Sequence, residues 1–225
     1  MFAINKNAII FSIASVVIIF GFLYLVFTSS NKPTANKTPV QVTKTLRKND
    51  HIVWSKDKKI LLVEYSDFQC TNCKLWSEFF NQLDKSQEPN DKKIREKITF
   101  IFRNFPLTTI HNNALSAAHA AEAAGLQNKY FEMNSLIFSK QEEWSDLKNP
   151  TDYFVNLAKT LKLDTKKFKI DMQSKQIKDR VEEDVKSGKQ ANINSTASFY
   201  LNGIYLDNLR STQDLTKILL KEINK

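Results

Sequence analysis

The chain's two cysteines, Cys70 and Cys73, are separated by Thr71 and Asn72 at the junction of two contrasting patterns. Before them runs an apolar, β-favouring stretch, Ile60 to Val63 and then Tyr65. After them Leu75, Trp76, Phe79, Phe80 and Leu83 recur at helical spacing. A strand that ends in Cys-x-x-Cys and passes into a helix sets the first sulfur at the helix N-terminus. There, unpaired N–H groups and the positive end of the dipole favour a thiolate. Cys70 is thus the expected nucleophile and Cys73, one turn further, the resolving thiol. Half of a zinc site is the alternative. Structural zinc takes four ligands, and only His51, His111 and His119 remain to complete the set. On one helix His111 and His119 would stand about 80° apart, and neither has a ligand-spaced partner. Packing and capping suit those histidines better, so no metal site is expected. The pair reads as redox-active.

Around this junction the chain alternates in a recognisable order. His51–Trp54 reads as a short leading strand and Ile60–Ser66 as the first central one. Gln87–Lys97 reads as a charged connection, and Ile98–Arg103 as the next strand, closed by Asn104-Phe105-Pro106. Strand, helix, strand implies parallel pairing. From about 107 to 191 the pattern is helical, including an alanine-rich stretch that ends at Gly125, a plausible C-cap. Ser198–Leu201 and Ile204–Leu206 flank Asn202-Gly203, a strong hairpin signal. Ser211-Thr212-Gln213-Asp214 resembles a capping box and opens a last amphipathic helix. The fold class is therefore α/β: βαβ, a helical insertion, then ββα, within a domain over 49–225.

Glu64 is an acid among apolar strand neighbours, so partial burial and a raised pKa are expected. A strand-edge glutamate reaching solvent is the alternative. Asp67 reads as a turn or cap residue before the helix.

Upstream, Ala8 to Phe27 runs for twenty residues without a charge, long enough to cross a bilayer core. No good cleavage site or lipobox cysteine follows, so residues 1–28 are expected to form an uncleaved transmembrane anchor. Residues 29–48, rich in Asn, Thr, Lys and Pro, read as a flexible tether. Counting flanking charge alone puts the C-terminal side in the cytoplasm. A lone cysteine pair behind an anchor suits an oxidising exterior, and a single-pass protein with its domain outside the cell membrane is the expectation. The net charge of +9 does not imply nucleic-acid binding. The lysines are interleaved with acids, as over Asp91–Lys97, and no basic run carries aromatics.

The run Glu64-Tyr65-Ser66-Asp67-Phe68-Gln69-Cys70 resembles the active-site approach of the DsbA-like thiol:disulfide oxidoreductases, a branch of the thioredoxin superfamily. Phe105-Pro106-Leu107, Lys129-Tyr130-Phe131-Glu132-Met133 and Phe199-Tyr200-Leu201-Asn202-Gly203 agree with it, so the resemblance covers roughly Asp50 to the C-terminus. It implies a thioredoxin-like fold split by a helical subdomain. It also implies that Glu64, six residues before Cys70, lies beneath the pair and helps move protons.

The activity implied is disulfide formation in exported proteins, with a membrane-bound redox partner to reoxidise the pair. No flavin, haem or nucleotide motif is present, so no cofactor is expected. A reductase or isomerase remains open, because Thr71 and Asn72 bring no charge to the sulfurs. So does a non-catalytic, chaperone-like module with a structural disulfide.

One position departs from the family. Before the second strand pair the DsbA-like pattern has a proline whose bond is cis and faces the cysteines, and the residue before it contacts substrate. Here the alignment puts Thr196 and Ala197 at that step. A cis bond before a non-proline costs about 3–4 kcal/mol, so a trans bond and a less preorganised substrate groove are expected.

Overall fold

A computed structural model of the chain describes residues 39–207 and 209–225. The expected anchor over 1–28 lies outside the described residues; among the described residues no helix is long and apolar enough to cross a membrane.

The sheet has five strands: β1 (His51–Trp54), β2 (Ile60–Ser66), β3 (Ile98–Asn104), β4 (Ser198–Leu201) and β5 (Ile204–Tyr205), in the order β1-β3-β2-β4-β5. Strands β2 and β3 pair in parallel, joined by α2 (Thr71–Lys85) and α3 (Pro89–Lys97), and the remaining pairs are antiparallel. The short α1 (Gln41–Lys44) precedes the sheet. Helices α4 (Ala114–Gly125), α5 (Tyr130–Ser139), α6 (Gln141–Trp144), α7 (Thr151–Thr160), α8 (Thr165–Asp171) and α9 (Lys175–Gln190) separate β3 from β4, and α10 (Thr212–Ile223) ends the chain. This is the thioredoxin-like α/β arrangement with a helical insertion.

Alternation along β2 sorts the core into layers. Leu61, Val63 and Tyr65 share a cluster with Ile101, Phe105 and Tyr200, while Leu62 packs with Trp76, Phe80, Phe100, Phe199 and Leu215. Glu64 falls on the Leu62 side, the side covered by α2. A third cluster holds the insertion together and includes Phe68, Cys73 and Phe102. The hairpin turn takes positive φ at Asn202 (51°) and Gly203 (85°), the conformation Asn-Gly tolerates best. Ser211 caps α10 by accepting from the Asp214 N–H at 3.2 Å.

Three local expectations are corrected. Gln87–Lys97 is not merely a connection: Pro89 starts α3 at a position where its missing N–H costs nothing, and Ile94 is fully buried. Gly125 is not a left-handed cap but the last residue of α4. Asn128 takes the left-handed turn (φ 61°), while a Cβ on Gly125 would lie 3.0 Å from the His51 ring. Within the stretch read as a tether, residues 39–48 pack on the domain. Val40 N–H donates to the Gly203 carbonyl at 2.8 Å, and Thr43 is fully buried.

Arg103 of β3 explains why this strap holds. It is fully buried, donates to both Asp50 oxygens (2.9 and 2.8 Å), and reaches the carbonyls of Val42 (2.8 Å) and Thr45 (3.0 Å). Arg47 pairs with Asp50 at 2.7 Å and with Asp184 of α9. A buried arginine between strands is compensated here by partners drawn from the strap.

Candidate active site

The turn before α2 is held from several directions. Asp67, 1% exposed, accepts from the N–H groups of Gln69 and Leu107, each at 2.7 Å, and lies 2.8 Å from His111 Nδ1. Gln69 Oε1 accepts from the Asn113 N–H at 2.8 Å, and its amide donates to the Ser145 carbonyl at 3.0 Å. From the insertion, Gln141 Nε2 donates to the carbonyls of Phe68 (2.7 Å) and Cys70 (3.1 Å). The local sequence makes a turn, and distant side chains fix its geometry.

Cys70 is the N-cap of α2, half-buried, with extended backbone (φ −78°, ψ 123°). Cys73, one turn in, is fully buried, and both are free thiols. The Cys70 sulfur lies 3.5 Å from the Thr196 carbonyl oxygen. Its pKa is brought down to about 5, chiefly by the hydrogen bond from the Cys73 thiol. Partial burial opposes this, while the Cys73 and Asn72 N–H groups and the Thr196 hydroxyl assist. Burial pushes the Cys73 thiol well up, and donation to Cys70 and the charges on Cys70 and Glu64 add to that. The two sulfurs are driven apart: one held as thiolate, the other as thiol.

Glu64 is 2% exposed, paired in register with Phe102 of β3 and Phe199 of β4. Burial pushes its carboxyl up to about 8, with the Ser66 hydroxyl opposing and the Cys70 charge adding. It therefore carries a proton at neutral pH within electrostatic reach of both sulfurs. Thr71 and Asn72 occupy the first exposed positions of α2.

The Thr196–Ala197 bond is cis, which corrects the trans expectation. The loop is held by its surroundings. Ala197 packs against both the insertion core and the α2 core, Ser198 Oγ donates to the Ser195 carbonyl at 2.8 Å, and Ser198 pairs with Tyr65. These contacts are long-range and leave no mark in the local sequence.

Asp67, Gln69, Asn113 and Gln141 were not foreseen as a brace for the cysteine turn. Gln69 adjoins the motif and carries some signal, whereas Gln141 lies 71 residues from Cys70 and carries none. Among the described residues no group of three or more His, Cys, Asp or Glu side chains is placed to hold a metal ion.

A family model described as Thioredoxin matches residues 35–221. Curated relatives include Na(+)/H(+) antiporter NhaA 1 of Mycolicibacterium vanbaalenii, 31% identical over 159 residues (69% of this chain and 24% of that protein). The counterpart from Mycobacterium sp. strain KMS is 30% identical over 158 residues, again 24% of its length. The chain thus spans about a quarter of the length of these relatives.

Similar solved structures include oxidised BdbD from Bacillus subtilis (TM-score 0.67, 19% identity, 85% of this chain and 99% of that one). Another is alpha-DsbA1 from Wolbachia pipientis (0.65, 22%, 80% and 93%). A protein-disulfide isomerase from Novosphingobium aromaticivorans matches at 0.63, with 16% identity, over 80% of this chain and 100% of that one. These likenesses are of fold.

Proposed function

We infer the function from one premise: this chain belongs to the thioredoxin family. It is a thiol:disulfide oxidoreductase working through Cys70 and Cys73, and its preferred direction is oxidation of exported protein thiols. The observation that carries the reading is the divergence of the two sulfurs, with Cys70 pushed down to about 5 and Cys73 well up. A stabilised Cys70 thiolate stabilises the reduced pair, and so makes the disulfide a stronger oxidant.

In the oxidising half-reaction a substrate thiolate attacks the Cys70 sulfur of the Cys70–Cys73 disulfide. The new S–S bond joins substrate to Cys70, and the electron pair of the broken bond goes to Cys73. Glu64, protonated at neutral pH, gives that sulfur its proton. A second substrate thiolate attacks the substrate sulfur of the mixed disulfide and releases Cys70 as thiolate. Two electrons have passed from substrate to protein, and a membrane-bound partner that accepts them regenerates the disulfide. Thr71, Asn72, Thr196 and Ala197 flank Cys70 and form the contact surface for the extended substrate segment.

The apolar run over 8–27 supports tethering in the cell membrane, with the domain outside. The strap meets Gly203, whereas β4 begins at the cysteine end, where Ser198 pairs with Tyr65.

The test is trapping. Cys73→Ala in whole cells should accumulate mixed disulfides with exported proteins through Cys70, and Cys70→Ala should accumulate none. Equal trapping by both variants, or none by either, removes the assignment of roles.

A further inference from the structure

One residue touches both halves of the redox pair. The Asp67 carbonyl accepts the Cys70 N–H at 3.1 Å, and the Asp67 N–H donates to the Cys73 sulfur. The peptide units on either side of Asp67 therefore move with the reactive turn. Its side chain, fully buried, is where they are held, and its two oxygens receive three donors.

Two of the three come from one short turn between β3 and α4. The Leu107 N–H (2.7 Å) and His111 Nδ1 (2.8 Å) converge on Oδ2, while the Gln69 N–H takes Oδ1 at 2.7 Å. The turn closes on itself, since the N–H groups of Ile110 and His111 donate to the Leu107 carbonyl at 3.0 and 2.9 Å. An ionised carboxylate can only accept, so His111 carries a proton on Nδ1 and directs it at Asp67. A hydrogen bond to a charged acceptor is stronger than a neutral one. Leu107 and Gln69 contribute backbone that any residue would supply. His111 contributes chemistry of its own.

We propose that His111 is a positioning residue for thiol exchange: by clamping the Asp67 carboxylate it aims the Asp67 N–H at the Cys73 sulfur, where charge appears when the Cys70–Cys73 bond breaks. This rests on the thiol:disulfide reading. In that step the incoming thiolate bonds to the Cys70 sulfur. The electron pair of the broken bond goes to Cys73, which then takes the Glu64 proton. A donor fixed in place beforehand stabilises the transient thiolate without reorganisation. Cys73 is a disulfide sulfur before the step and a buried thiol after it, so the donor counts most in between. The clamp therefore acts on the rate in both directions and leaves the equilibrium nearly untouched.

Stopped-flow reduction of the Cys70–Cys73 disulfide in the full chain by glutathione tests it, read beside the equilibrium constant with glutathione. His111→Gln, whose amide nitrogen falls near the Nε2 position rather than Nδ1, should slow reduction about tenfold or more. Its equilibrium constant should stay within about twofold of the parent's. His111→Asn returns a donor near Nδ1 and should recover most of the rate, and His119→Gln on α4 should leave it unchanged. If His111→Gln does not fold, His111→Ala decides by the same two readings. A rate equal to the parent's, or a rate and an equilibrium constant that fall together, overturns the proposal. A parent disulfide that glutathione reduces no faster than it exchanges with glutathione disulfide overturns the functional reading itself, and the variants have no part in that outcome.

Discussion

The Cys70 sulfur and the Thr196 carbonyl oxygen, from residues 126 positions apart, meet at 3.5 Å. The contact joins the N-terminus of α2 to the loop before β4 and places the reactive sulfur against the backbone of that loop. The Thr196 hydroxyl, which has no hydrogen-bond partner among the described residues apart from that sulfur, helps to hold Cys70 down at about 5.

Alkylation of the reduced protein should therefore follow a titration with its midpoint near 5 rather than the ordinary 9.0. The rate of Cys70 with iodoacetamide should be flat through neutral pH and fall about tenfold per unit below the midpoint. Cys73 should stay unreactive in the folded protein. A midpoint above 8 would show that the helix terminus and Cys73 do not stabilise the thiolate.

Glu64 gives a stability prediction with a definite sign. Its folded pKa, about 8, lies above the ordinary 4.5, so the folded state keeps a proton that the unfolded chain releases. That destabilises the fold progressively as pH rises from about 4.5 to about 8. Glu64→Gln should match the parent at pH 4 and exceed it at pH 8, by on the order of 3–5 kcal/mol in reduced protein. Urea denaturation at the two pH values measures the difference, and thiol exchange by the variant should be slower. A constant difference across pH would mean that Glu64 is ionised and solvated.

Much of the fold was legible because short-range chemistry decided it. The strand before Cys70, the hairpin at Asn202-Gly203 and the cap at Ser211 each rest on residues within a few positions of one another. What escaped were long-range contacts. Pro89 and Ile94 make α3 a packed helix only because the sheet is there to receive Ile94. The strap over 39–48 reads as polar tether until Arg103, more than fifty positions later, supplies its partners. At the site the sulfurs could be picked from spacing, and Glu64 from its apolar strand neighbours and the family resemblance. The geometry of the Thr196–Ala197 bond could not, because packing from two cores overrides the local preference.

Arg103 supplies a test of that strap. Arg103→Leu leaves the buried Asp50 without its fully buried guanidinium and frees the Val42 and Thr45 carbonyls. A loss of about 3–5 kcal/mol is expected, with faster hydrogen exchange concentrated at residues 40–47. Unchanged protection there would mean that Val40, Thr43 and Arg47 hold the strap without Arg103.

The central claim is that the cysteine pair is an oxidant because the Cys70 thiolate is stabilised, and the equilibrium reduction potential tests it most directly. The full chain is equilibrated in glutathione buffers of graded ratio and the fraction of Cys70–Cys73 disulfide is read after acid quenching. A potential less negative than about −200 mV, towards the oxidising end of the thioredoxin-fold range, is the predicted result. A value near about −270 mV, where reducing members of the superfamily lie, would contradict it.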